Sequence, residues 1–113
     1  LLAYAAWEGA LDRRTEDGRT ERVHLESVAR RGHKESIARL TEPYFPEALD
    51  YLWVWLKQLR RGLGEGMHGL ALLTWTTFDA WCRRMQVNPE PHEVDALFSL
   101  DAVLRNPDAW TAD

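Results

Sequence analysis

Residues 51–56 read Tyr-Leu-Trp-Val-Trp-Leu, six consecutive apolar or aromatic side chains inside a helical pattern. A surface helix shows one apolar stripe, so a helix that is apolar nearly all round must be buried or covered. Leu49, Leu52, Trp53, Leu56 and Leu59 step by three and four and predict the inner stripe. Tyr51, Val54 and Trp55 widen it beyond an ordinary amphipathic face. The stripe is enough to seat the helix on its own core, and the surplus is where a partner is expected. Only 113 residues are available to cover it. That length predicts one domain with a real but modest core.

The rest of the chain reads as helices between breaks. Tyr4, Trp7 and Leu11 place a helix over residues 1–14, and Asp17-Gly18 signals a turn. Short helices follow at about 24–31, with Gly32 as C-cap, and at about 34–41. Pro43 and Pro46 then interrupt, and the central helix runs from about Pro46 to Arg61. Four glycines between Gly62 and Gly69 break it. This segment lacks the preceding strand and the Lys-Ser/Thr of a phosphate loop, so it reads as a flexible connector or a partner-gripping loop. Thr74 is the expected N-cap of a helix to about Gln86, with Phe78, Trp81, Cys82 and Met85 as its stripe. Asn88 with Pro89 looks like the next cap, before a helix over about 91–105. Asp108 to Asp113 reads as a loose tail carrying Trp110. The expected fold is all-α: a small single-domain helical bundle of about five to six helices with a Gly-rich connector. Its parts are an N-terminal helix and polar link over 1–23, a helical core over 24–105 and a tail over 106–113.

Little in the chain points to chemistry. His24, His33, His68 and His92 form no i,i+3 or i,i+4 pair with each other or with Cys82, so no metal site is expected. Cys82 lies on an apolar stripe and reads as a small buried hydrophobe. A single cysteine allows no internal disulfide and fits a reducing compartment. Asp101 falls on the apolar face set by Val94, Leu97 and Phe98. A carboxylate there needs a partner, and Arg60, Arg61 or an N-terminal arginine is the expected one. The three serines lack a nucleophile context. No catalytic set and no cofactor is expected.

Charge narrows the partners. Residues 1–40 carry eight basic and seven acidic groups, and residues 41–113 carry six and eleven. The acidic second part argues against nucleic acid, which wants a basic patch. Arg60-Arg61 and Arg83-Arg84 sit near expected helix C-termini, where they offset the dipole. No apolar run is long enough to cross a bilayer, and no signal peptide is visible. The chain begins at Leu1, which leaves open a trimmed start, a leader or a frameshift junction upstream. Six tryptophans in so short a chain favour a protein partner, because tryptophan is enriched at interfaces.

From His24 to Arg105 the chain resembles small phage and prophage proteins encoded among tail genes, of the tail assembly chaperone type. The likeness rests on the order of motifs. His24-Leu25-Glu26 comes first, with Arg31-Gly32, then Pro43 and Pro46. Tyr51-Leu52-Trp53 follows with Trp55, Leu59 and Arg61-Gly62. The last are Gly69-Leu70, Leu73-Thr74-Trp75, Ala80-Trp81, and Glu93-Val94 through Leu100-Asp101. The resemblance implies a non-enzymatic protein of the host cytoplasm. It would coat apolar helical segments of the tape measure protein while the tail tube polymerises. A groove lined by Trp53, Trp55, Trp75 or Trp81 would suit such a helix, and Tyr51, Val54, Trp55, Trp75 and Trp81 are the expected partner-binding residues. Self-association into a homo-oligomer would also use the excess aromatics. Two alternatives remain: a helical adaptor that stays in the virion, and a DNA-binding regulator. The regulator is the weaker, because its groove helix would carry Glu93, Asp95 and Asp101 against one Arg105.

Overall fold

A computed structural model describes residues 1–13, 19–32, 34–66 and 69–109. Six α-helices lie among them: α1 (Leu2–Leu11), α2 (Glu21–Ala29), α3 (Lys34–Leu40), α4 (Asp50–Leu63), α5 (Trp75–Met85) and α6 (Pro91–Arg105). The all-α expectation holds. The only strands among the described residues are β1 (Glu65–Gly66) and β2 (Gly69–Leu70), an antiparallel pair of two residues each.

α4 is the axis of the core. Leu52, Leu56 and Leu59 are buried on one face, against Leu73, Phe78 of α5, Leu97 and Leu100 of α6 and Ala5 of α1. Each fully buried leucine is worth about 1.5–3 kcal/mol. Pro46 leads into a 3₁₀ turn at Glu47–Leu49 that runs straight into α4. That turn corrects the expected stripe, because Leu49 is exposed. A 3₁₀ turn advances three residues per turn, which takes Leu49 out of register with Leu52, Leu56 and Leu59. α4 ends at Gly64, whose φ of 67° suits glycine. The helix thus breaks at the second glycine of the connector, and Gly62 still lies within it.

The caps of α5 and α6 show how local sequence sets element boundaries. Thr74 accepts the Thr77 amide on its hydroxyl at 3.2 Å, as expected. α6 spans the expected residues, but its cap is not the Asn88-Pro89 pair. Its N-cap is Glu90, with Pro91 at the first position, and the Glu90 amide donates to the Glu93 carboxylate at 2.8 Å. That reach back from the third helical residue is half of a capping box, and it selects Glu90 over Asn88. Asp101 is 1 % exposed and accepts from Arg60 at 3.0 Å and Arg105 at 2.8 Å. Arg60 also donates to the carbonyls of Gly64 and Ala71. Arg60 was an expected partner; Arg105, one turn along α6, was not.

α1 crosses α6 at close range. A Cβ placed on Gly9 would lie 2.4 Å from the Leu104 carbonyl oxygen. Only glycine permits that approach. α2 begins at Glu21, three residues earlier than expected, because Thr20 caps it through the Val23 amide. α2 and α3 pair, and polar bonds fasten them to α1. Arg22 reaches Glu8 and Asp12, and the Trp7 indole donates to the Arg39 carbonyl at 2.9 Å. Gly32, after α2, has a φ of 84°. The expected loose tail is corrected at its start. Pro107–Ala109 form a 3₁₀ turn, and Asp108 pairs with Arg13 of the α1 end at 3.1 Å. Trp110 and the Asp17-Gly18 turn lie outside the described residues.

Candidate partner-binding surface

The aromatic side chains form two groups on opposite flanks of α4. In the first, Tyr4 makes edge contacts with Phe45 at 4.8 Å and with Trp53 at 5.0 Å, and packs on Trp7 at 5.5 Å. Cations cover its outside: Arg22 lies 5.6 Å from the Trp7 ring and Lys57 5.5 Å from the Trp53 ring. This group joins α1 to α4.

The second group runs across α4, α5 and α6. Tyr51 meets Trp55 at 5.1 Å, and Trp55 meets Trp81 at 5.7 Å. Trp81 meets Phe78 at 5.9 Å, and both Phe78 and Phe98 meet Trp75. Trp75 and Trp81 are six positions apart, so they point about 120° apart around α5. Phe78, between them, is buried. The five expected residues therefore do not share one groove. Tyr51, Trp55 and Trp81 lie together on the α4–α5 seam. Trp75 stands on the α5–α6 seam, stacked on Phe98 at 4.6 Å. Val54 is exposed on the outer side of α4.

Exposure separates the two seams. Trp55 and Trp81 are half-buried, and the Trp81 indole donates to Gln58 at 3.2 Å, so its polar atom is already satisfied. Trp75 is 62 % exposed, and Leu72, three residues before it, is 58 % exposed. Leu72 and Phe98 were missed as surface candidates. Leu72 lies in an apolar run, 70–73, too short to assign from its pattern, and Phe98 in a helix stripe. Met85, expected in the α5 stripe, is exposed beyond Trp81.

Electrostatics at the α4–α5 seam are local. The Tyr51 hydroxyl donates to the Glu93 carboxylate, which raises the tyrosine above its ordinary value. The same bond, followed by the Glu90 amide, holds Glu93 below the ordinary carboxylate range. A lowered carboxylate pKa gives stability that is present above the unfolded value, about 4.3, and is lost as pH falls through the folded one. Tyr51→Phe is therefore expected to shrink the loss of melting temperature between about pH 5 and pH 3. Parallel thermal melts would check it, and an unchanged slope would show that the hydroxyl does not hold Glu93.

Among the described residues, the titratable groups near these surfaces are held in ordinary structural roles. Burial, and then Asp79, pushes the Cys82 thiol up, which disfavours the reactive thiolate. Among the described residues no three His, Cys, Asp or Glu side chains group as metal ligands. His33 and His68 lie outside them. A cavity of about 770 Å³ between the ends of α1, α4 and α6 is lined by Glu8, Asp12, Arg13, Lys57, Arg61 and Arg105 among others, and by no His, Cys or Ser. Its Arg13 and Arg105 are engaged with Asp108 and Asp101. Among the described residues no helix is long and apolar enough to cross a membrane.

Fold and surface together define a class: small all-α proteins that carry aromatic seams on the outside of a helical core. Within it, the family model of phage tail assembly chaperones matches residues 28–106, and the chain belongs to that family. The match agrees with the resemblance seen from His24 to Arg105. It takes in α3 to α6 and both seams, and leaves out α1. The family is a non-catalytic assembly family. No curated protein and no solved structure matches the chain.

Proposed function

We propose that this protein is a chaperone of the tape measure protein, holding its apolar helical segments in the host cytoplasm until the tail tube encloses them. The observation that carries the proposal is Trp75. A tryptophan 62 % exposed, stacked on Phe98 and preceded by exposed Leu72, offers apolar area that the fold itself does not use. Helix-in-groove binding needs such anchors at helical spacing. Membership of the chaperone family supplies the kind of partner. The Tyr51, Val54, Trp55 and Trp81 surface is the second candidate contact. Many copies along one long client would gain through multivalency.

Trp75→Ala is the direct test. It is expected to weaken binding to a tape measure segment by about 2 kcal/mol, or about thirtyfold, as for an interface tryptophan. The melting temperature should move little, because Trp75 is mostly exposed and only its ring contacts with Phe78 and Phe98 are lost. Trp55→Ala should show a smaller binding loss and a larger loss of stability, since it is wedged between Tyr51 and Trp81. If neither change affects binding, the docking surface lies elsewhere. Mass spectrometry of purified particles addresses the role itself. Stoichiometric protein in finished virions would make it a structural component.

A further inference from the structure

The α5–α6 seam has a one-signed border. Residues 62–82 and 85–104 contain no Lys or Arg. Asp79 lies one turn after Trp75 on α5, and Asp95 lies one turn before Phe98 on α6. Both are exposed. Neither appears in an ion pair among the described residues, whereas Asp101 on the same helix is fully engaged. The nearest cations along α5 are Arg83, one turn beyond Asp79 but not paired with it among the described ion pairs, and Arg84; both are about two turns beyond Trp75. An exposed stacked tryptophan is thus flanked by carboxylates from both helices that form the seam.

We infer that this seam selects a client helix whose apolar stripe is bordered by Lys or Arg. The inference rests on the chaperone proposal above and adds the chemistry of the client. Complementary charge at the border of an apolar contact sets partner choice and encounter rate more than affinity. A helix bordered by Glu would place like charges beside Asp79 and Asp95. The Tyr4–Trp53 group on the far flank of α4 is bordered by Arg22 and Lys57.

Two synthetic helical peptides separate the possibilities, each about 18 residues long so that they form helix in water. Both carry the same Leu/Ala stripe; one is bordered by Lys, the other by Glu. Fluorescence anisotropy with the full chain should give the Lys-bordered peptide about tenfold tighter binding at low salt, shrinking toward equality near 1 M salt. Asp79→Asn with Asp95→Asn should abolish the preference and leave the Glu-bordered peptide bound as well or better. Equal binding of the two peptides to the native chain, or a preference that survives the double substitution, overturns the inference and leaves the chaperone proposal standing. Failure of both peptides to bind overturns the proposal and the inference with it.

Discussion

Asp101→Ala is expected to cost about 3–5 kcal/mol of stability, the usual result of removing one partner from a buried ion pair. The carboxylate is 1 % exposed, and the side chains of Arg60 and Arg105 beside it are 9 % and 27 % exposed. Without it two guanidinium groups face each other with little water. Arg60 keeps the Gly64 and Ala71 carbonyls, but those do not cancel its charge. Asp101→Asn keeps the shape and one acceptor, and is expected to lose less. Urea unfolding of the three proteins would rank them. A native-like midpoint for the alanine variant would mean that the carbonyls alone hold Arg60.

Gly9→Ala sets two effects against each other. Helix propensity alone favours alanine by about 1 kcal/mol. The contact with the Leu104 carbonyl opposes it, because the added Cβ would sit 2.4 Å from a backbone oxygen that cannot rotate away. α1 would have to lift from α6, taking buried Ala5 and Leu11 with it. Overpacking of this kind costs about 3 kcal/mol at its upper range. A net loss of about 2 kcal/mol in chemical denaturation is the expected result. A stabilised variant would mean that α1 shifts at no cost.

What the sequence made legible was whatever depends on near neighbours. The Leu52, Leu56 and Leu59 face followed from their spacing, and the Thr74 cap from one residue type at one boundary. Asp101 was legible as a buried carboxylate because Val94, Leu97 and Phe98 fix its side of α6. The Trp75–Trp81 angle was also there to be read, since six positions on a helix never share a face. Treating all the surplus aromatics as one groove concealed it. Long-range pairings carried no such signal. Nothing near Gly9 announces Leu104, and nothing near Trp7 announces the Arg39 carbonyl. The 3₁₀ turn that exposes Leu49 was hidden for a different reason: a pattern of threes and fours does not say which kind of helix carries it.

Arg60 has one more consequence. Its guanidinium spans the Gly64 and Ala71 carbonyls, and the Ala71 amide donates to the same Gly64 oxygen at 3.3 Å. The two ends of the α4–α5 crossing are thus tied to each other, and through Asp101 to α6, before the chain enters the hairpin. The closure entropy is met at this knot and grows only slowly with added length. Extra residues between β1 and β2 would therefore leave the helices where they are. That point is the place to graft a reporter loop without touching either aromatic seam.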